Sequence, residues 1–174
     1  GEGPAASTLA FQPVIGGEVL PEHPLEAVAA GAATDVDLLI GHTRDEFRLQ
    51  YGLGYVTADM DAVVGTYEGV FGPASEALER YRANRPDADE VGLLAALETD
   101  RMFRIPAVRL ADAHVGRNAR TWFYRFSWES RAFDGRVGAG HALDLPFTFD
   151  ALDNPLSEAL TGAGAPTGLA RAMH

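Results

Sequence analysis

The residue best placed to do chemistry is His141, which lies in Arg136–Asp150 between a glycine-rich approach and an apolar exit. Gly138 and Gly140 allow backbone turns that residues with a Cβ resist, and Pro146 interrupts a helix or a central strand. The pattern predicts a loop that presents an imidazole while buried apolar groups fix its far side. A held but accessible imidazole suits general acid–base catalysis. Taken alone, a loop histidine is more often structural or solvated than catalytic.

A pair of acids follows a short apolar run at Val36–Gly41, which we interpret as a buried strand of a parallel sheet. Asp45 and Glu46 lie at its carboxyl end, where ligand and catalytic groups gather in open α/β sheets. A buried carboxylate there could orient a histidine and stabilise its imidazolium form. The spacing also allows a second interpretation, in which the acids only favour the dipole of the following helix.

The chain offers no recognisable nucleophile for such a pair. It contains no Cys, which excludes disulfides, thiolate nucleophiles and Cys-ligated zinc. None of its serines stands in Gly-x-Ser-x-Gly, the strained turn that exposes a nucleophilic hydroxyl; they are Ser7, Ser75, Ser127, Ser130 and Ser157.

The remaining histidines do not suggest a metal site. His42 is close to the acidic pair, but no His-x-x-x-His or comparable cluster accompanies it, so a solvated loop histidine is expected. His114 is expected on the polar face of a helix, and His23 and His174 in a loop and at a terminus. No cofactor is expected.

Composition narrows the class of protein. The 174 residues are enough for one domain with a substantial core, and 47% of them are apolar, as in folded globular chains. A net charge of −11 repels phosphate backbones, which argues against nucleic-acid binding. No apolar run approaches the length of a membrane span, and the start of the chain lacks the pattern of a signal peptide. We therefore expect no membrane partner and a cytoplasmic location.

The order of predicted elements indicates an α/β fold, in which a large helical layer separates two strands. The second strand is Arg120–Trp128, which is dense in β-forming residues. The helical layer is predicted over Asp59–Phe71, Ala74–Tyr81, the stretch from Pro86 through Leu97, and Arg101–Val115 with a start or kink at Pro106. A hairpin is predicted around Gly16 and Gly17, within Phe11–Pro21. Further helices are predicted over Pro24–Ala33, Phe47–Tyr51, Asn154–Leu160 and Gly168–Met173.

Three stretches together resemble the type-B carboxylesterase family, the α/β-hydrolases that include the cholinesterases. They begin Phe-Gln-Pro-Val-Ile-Gly-Gly-Glu at Phe11, Asp-Leu-Leu-Ile-Gly-His-Thr-Arg-Asp-Glu at Asp37, and Gly-Ala-Gly-His-Ala-Leu-Asp-Leu-Pro-Phe at Gly138. The segment from Phe103 to Ala111 and the Trp122–Trp128 strand also look like family elements. The resemblance implies the C-terminal part of an α/β-hydrolase fold, with few sheet strands and a large helical layer.

The resemblance also implies roles for two residues. The catalytic acid of the family falls on Glu46 and the catalytic base on His141, while the nucleophile elbow and oxyanion loop would precede Gly1. Two departures from the family pattern stand out: Phe47 replaces a common Gly, and Asp144 replaces a commoner Glu. We therefore expect residues 1–174 to be a single-domain C-terminal fragment of a carboxylic ester hydrolase, cut at both ends. The complete enzyme would act on small-molecule esters.

Such a fragment is expected to be inactive alone, because it would hold a base and an orienting acid with nothing to activate. Loss of a strand beside Val36–Gly41 would leave a free sheet edge, so self-association is expected. Two alternatives stay open from the sequence. One is a catalytically silent, cholinesterase-like interaction module, and the other is a freestanding α/β domain that binds small molecules.

Overall fold

A two-stranded parallel sheet lies at the centre of the fold. In a computed structural model that describes residues 13–55, 61, 74–117 and 120–174, β1 (Leu38–Thr43) pairs with β2 (Thr121–Phe126). Leu38 lies opposite Thr121, and Thr43 lies opposite Phe126. Parallel neighbours require a crossover connection. The described helices of that crossover are α2 (Arg48–Gly52), α3 (Ala74–Asn84), α4 (Glu90–Thr99) and α5 (Ile105–Val115).

Shorter helices flank this unit. α1 (Pro24–Ala30) precedes β1, and β2 is followed by a 3-10 turn at Phe133–Gly135 and by α6 (Leu145–Thr148), α7 (Pro155–Thr161) and α8 (Thr167–Met173). The chain is therefore mixed α/β and mostly helical, which confirms the predicted class. In the described part of the chain, no helix combines the length and apolar character needed to cross a bilayer.

Capping residues explain where two of the helices begin and end. His23 precedes α1, and its Nδ1 accepts a hydrogen bond from Leu25 N at 3.2 Å. Gly31 ends the same helix with φ = +116°, a left-handed conformation that glycine adopts without strain. Asp89 caps α4 by accepting from Gly92 N at 2.8 Å, a cap worth about 1 kcal/mol.

A π-helical turn at Asp100–Arg104 joins α4 to α5. Pro106 lies in the first turn of α5. Its ring has no N–H to donate and would clash with the carbonyl four residues earlier in a regular helix. The wider turn relieves this conflict, and Ile105 N donates to Asp100 O, five residues back. The predicted start or kink at Pro106 is thus confirmed.

Two apolar clusters form the core. Leu78 of α3 packs with residues of α4 in the first cluster. The second lies behind the loop that carries His141 and contains Phe126, Leu143, Phe147 and Ala170. The ring centroids of Phe126 and Phe147 are 5.1 Å apart, and Trp128 is 5.0 Å from Phe147 on another side. Buried apolar groups therefore fix the far side of this loop, as the sequence predicted.

Several predicted elements differ from the structure. The described part of the predicted hairpin, residues 13–21, forms turns and bends with exposed Val14 and Val19, and contains no strand. The Gly16–Gly17 signal marked a turn correctly, and Gly16 N donates to Leu20 O at 2.9 Å, but the described residues on either side of this turn form no strand ladder. The predicted helix at Asp59–Phe71 lies outside the described residues apart from Asp61.

Two further predictions on strands and helices need correction. The first strand begins at Leu38 rather than Val36, and it is not buried on both faces, because Leu39 is 69% exposed. Pro146 does not interrupt a helix; it occupies the first turn of α6, where a missing N–H costs nothing and the fixed φ suits a helix.

Candidate active site

The predicted acid and histidine meet beyond the carboxyl ends of the two strands. Glu46 lies in the turn after β1, and His141 lies in the loop after β2. His141 Nδ1 donates to Glu46 Oε2 at 2.6 Å. Glu46 is 4% exposed, whereas the side chain of His141 is 46% exposed. A buried carboxylate thus holds one nitrogen of a ring whose other side is open to solvent.

Backbone contacts hold both residues in place. The second oxygen of Glu46, Oε1, accepts from Thr43 N at 2.7 Å, so each oxygen of the carboxylate takes part in a hydrogen bond. His141 N donates to the Glu46 carbonyl at 3.2 Å. The acid turn and the histidine loop are therefore joined by their main chains as well as by their side chains.

Asp45 joins the same two segments but takes no part in the acid–histidine contact. Its N–H donates to Ala139 O, and its Oδ2 accepts from Ala139 N, both at 2.9 Å. Arg44 donates to the same Oδ2 through Nε at 3.1 Å and Nη2 at 2.7 Å, and also to Glu129 Oε1 at 2.6 Å. The Asp45 hydrogen bond raises the pKa of Arg44.

Glycine is required where these segments approach each other. Gly138 has φ = +55°, and a Cβ there would lie 2.6 Å from Asp45 Oδ2. The sequence predicted turns at Gly138 but missed the function of Asp45. Its position beside Glu46 in one turn was the available signal. Asp45 and Glu46 do not cap α2, whose N-cap position is Phe47 and receives no side-chain cap.

The charge on Glu46 favours the protonated imidazole. The pKa of His141 is raised above 6.5, chiefly by the Glu46 hydrogen bond, with the charges of Glu46 and Asp144 adding to the effect and partial burial opposing it. Phe103 lies against the ring with centroids 5.2 Å apart. Within the described ranges, no residue hydrogen bonds to His141 Nε2. This nitrogen is the one available to exchange a proton.

A tyrosine holds Asp144, which the sequence analysis noted only as a departure from the family pattern. Tyr124 Oη donates to Asp144 Oδ2 at 2.8 Å. Burial, followed by this hydrogen bond and the charges of Asp144 and Glu46, raises the pKa of Tyr124 to about 12. The Tyr124 ring lies across Gly41, where a Cβ would overlap it. No sequence pattern indicated this pair.

Two other histidines are buried, contrary to expectation. His42 is 4% exposed, its Nδ1 donates to Thr43 O at 2.7 Å, and its ring packs near Phe123, so it is not a solvated loop residue. His114 is also buried, with Nδ1 2.7 Å from Thr121 Oγ1, so it does not lie on the polar face of α5. Among the residues described, no group of three or more His, Cys, Asp or Glu could hold a metal ion.

Parallel strands with a helical crossover, and a carboxylate–imidazole pair beyond their carboxyl ends, are typical of the α/β-hydrolase class. Comparison with known families agrees: the Carboxylesterase family model matches residues 2–159. The chain belongs to the carboxylesterase family.

Individual relatives are consistent with this membership. The chain is 38% identical to the para-nitrobenzyl esterase of Bacillus subtilis, over 83% of this chain and 28% of that protein. It is 32% identical to the phenmedipham hydrolase of Pseudarthrobacter oxydans, over 83% of this chain and 29% of that protein. The crystal structure of the Geobacillus stearothermophilus carboxylesterase Est55 matches with a TM-score of 0.72 and 30% identity, covering 91% of this chain and 33% of that one. The chain thus spans about a third or less of each.

Proposed function

We propose that this chain supplies the acid, Glu46, and the base, His141, of a Ser-Glu-His triad in a carboxylic ester hydrolase. One observation supports this most: His141 Nδ1 contacts the buried Glu46 carboxylate at 2.6 Å while the His141 side chain remains 46% exposed. The buried His114 differs, because both of its nitrogens are engaged, by Thr121 Oγ1 and Ala33 O.

The chemistry follows from the hydrogen bonds. A serine hydroxyl would lose its proton to His141 Nε2 as its oxygen attacks the ester carbonyl. The imidazolium would then return the proton to the leaving alcohol. Glu46 would keep the Nδ1–H tautomer and stabilise the imidazolium without taking the proton. The substrate class is a small-molecule carboxylic ester.

We propose further that residues 1–174 form the C-terminal part of one α/β-hydrolase catalytic domain, and that the nucleophile comes from another part of it. Two described serines have structural hydrogen bonds instead: Ser130 Oγ donates to Leu160 O at 2.6 Å, and Ser157 Oγ accepts from Asn154 Nδ2 at 2.8 Å.

Reading the coding sequence that precedes Gly1 tests the proposal first. A Gly-x-Ser-x-Gly motif there supports a hydrolase; its absence favours the interaction module. In a polypeptide that carries both parts, Glu46→Gln should lower kcat by about 10⁴-fold with little change in KM. Glu129→Gln is the matched control, since Glu129 contacts only the exposed side of Arg44, and it should retain nearly full activity. Equal activity of the Glu46 variant would contradict the assignment.

Residues 1–174 alone should not hydrolyse esters. Incubation with an activated aryl ester and with a serine-directed phosphonate, followed by intact-mass measurement, should show no turnover above the His141→Ala variant and no added phosphonyl group. Stoichiometric labelling of any residue would refute this prediction, because it would show that the chain contains its own nucleophile.

A further inference from the structure

Four arginines surround one cavity in this strongly acidic chain. The cavity, of about 310 Å³, is lined by Arg44 and Asp45 of the turn after β1, Arg48 of α2, Arg85 before α4, and Arg125 of β2, with residues of α4 as its far wall. Arg48 and Arg85 also line an adjoining opening, together with Asp87 and with Asp89, which caps α4. Such a concentration of cations is unexpected where the net charge is −11.

The two carboxylates in the cavity lining pair with other groups and form no ion pair with Arg48, Arg85 or Arg125 in the described part of the chain. Asp45 Oδ2 accepts from Arg44 and from Ala139 N. Asp100 Oδ2 accepts from Arg104 at 2.6 Å and from the hydroxyl of Tyr81. Arg44 is in turn shared between Asp45 and Glu129.

Three guanidinium groups remain without a carboxylate partner in the part of the chain that the structure describes. Arg85 stacks over the Tyr81 ring, with its Cζ 5.0 Å from the centroid, and Arg48 is, like Arg85, half-buried. Arg125 is exposed at the cavity edge. Partly desolvated, uncompensated cations are costly, and a bound anion relieves that cost.

We propose that this cavity binds a small molecule through a phosphate or carboxylate group, held by Arg48 and Arg85 with Arg125 at the edge. The planar fork of a guanidinium matches the paired oxygens of both anions. The volume lies at the lower end of the range of about 300–1,000 Å³ found for ligand pockets. Glu46 and His141 do not line the cavity, so this proposal does not depend on the esterase assignment.

Calorimetric titration of the chain with inorganic phosphate, with succinate and with uncharged glycerol tests the proposal. We expect saturable binding of at least one anion and none of glycerol. Arg48→Gln and Arg85→Gln should each weaken binding by roughly tenfold or more, as for the loss of a charged hydrogen bond. Arg48→Lys should give an intermediate loss because it keeps the charge but not the fork.

The matched control is Arg80→Gln, which removes the same charge from an exposed position on α3 outside the cavity. It should change the affinity by less than about twofold, which is the effect expected of remote charge alone. Thermal unfolding with and without anion gives a second measurement: the anion should raise Tm more for Arg80→Gln than for Arg48→Gln. Absence of saturable binding by both anions, or equal weakening in all variants, would overturn the proposal. The tighter anion identifies the ligand group.

Discussion

Glu46 and His141 combine unequal burial with a direct charge contact. The carboxylate is enclosed and receives a backbone N–H from Thr43, so its orientation does not depend on the histidine. The imidazole is held at Nδ1, packs against Phe103 and is otherwise partly exposed. Such a ring can gain and lose a proton at Nε2 without moving its support, which is the requirement for a general base.

Removing the charge of Glu46 should lower the pKa of His141. In Glu46→Gln the imidazolium loses its main stabilising partner, so the pKa should fall from its raised value toward 6.5 or below. Titration of the His141 ring by NMR measures this, with Glu129→Gln as control. An unchanged pKa in Glu46→Gln would show that the hydrogen bond is not formed in solution.

The same shift affects stability. Because the folded pKa lies above the ordinary value, the Glu46 interaction contributes fully below about pH 6.5 and is lost as pH rises through the folded pKa. Glu46→Gln should therefore destabilise the chain more at pH 6 than at pH 9. A pH-independent difference in urea unfolding between the two proteins would contradict this.

Asp144 should influence His141 through its charge alone. Asp144→Asn should lower the pKa of His141 by less than Glu46→Gln does, since the charge of Asp144 is the smallest of the contributions that raise it. Tyr124→Phe removes the hydrogen bond but keeps the carboxylate, so it should leave the pKa of His141 closer to that of the unmodified chain. An NMR titration in which Tyr124→Phe has the larger effect would indicate a packing role for the pair.

The sequence could predict the two principal residues of the site but not their supports. Motif order and residue type identified Glu46 and His141 as candidates. Asp45 contacts Ala139, which is 94 residues away in the sequence. Tyr124 contacts Asp144, which is 20 residues away. No local spacing encodes such contacts, because they depend on how the two strands are packed. The buried state of His42 was missed for the same reason: its cover comes partly from Phe123 of the other strand.

At the scale of elements, the sheet aligns the two site segments. β1 and β2 run parallel in register from Leu38–Thr121 to Thr43–Phe126, so the acid turn and the histidine loop leave the sheet at the same edge. The start or kink at Pro106 was predictable, because its cause is local. The hairpin was not, because a turn signal alone does not make the residues on either side pair, and residues 13–21 form turns and bends without a ladder.

Gly41 should be essential to the spacing of the strands. Its cross-strand partner is Tyr124, and a Cβ at Gly41 would overlap both the ring and the carbonyl oxygen of that residue. Gly41→Ala should reduce the free energy of unfolding by about 1–3 kcal/mol, the usual cost of forcing extra volume into a packed site. Urea unfolding followed by circular dichroism measures this.

The matched control is Gly168→Ala on the exposed side of α8, where a Cβ would meet nothing within 4 Å. Alanine there should be neutral or stabilising by up to about 1 kcal/mol, because it restricts the unfolded chain and favours helix. If the two alanine variants unfold at the same urea concentration, the close contact across β1 and β2 is absent.

At the scale of the molecule, the sheet is incompletely covered. Parallel sheets are normally buried on both faces, yet Leu39, Trp122 and Phe123 are exposed, and in the described chain each strand has only one neighbour. Sequence analysis anticipated a free edge beside the first strand from the family resemblance. The sequence could not indicate how much of the second strand would also face solvent. Residue types alone do not specify which side chains pack against another element.

Residues 1–174 alone should therefore self-associate through the β1–β2 sheet. Sedimentation velocity across a wide concentration range should show mass increasing with concentration, and Leu39→Lys with Trp122→Lys should shift the distribution toward the monomer. Val19→Lys, at an exposed position away from the sheet, should not. A monomeric mass at every concentration would contradict this prediction.

The main-chain hydrogen bonds that connect the acid turn to the histidine loop have an evolutionary consequence. Three of the bonds between these segments involve Ala139 or the backbone of positions 46 and 141, and none of the three requires the side chain of Glu46 or His141. A single nucleotide change could therefore remove the Glu46 or His141 side chain, and with it the proposed proton transfer, while these backbone connections remain. A gene altered in this way would still encode a folded scaffold on which binding could be selected.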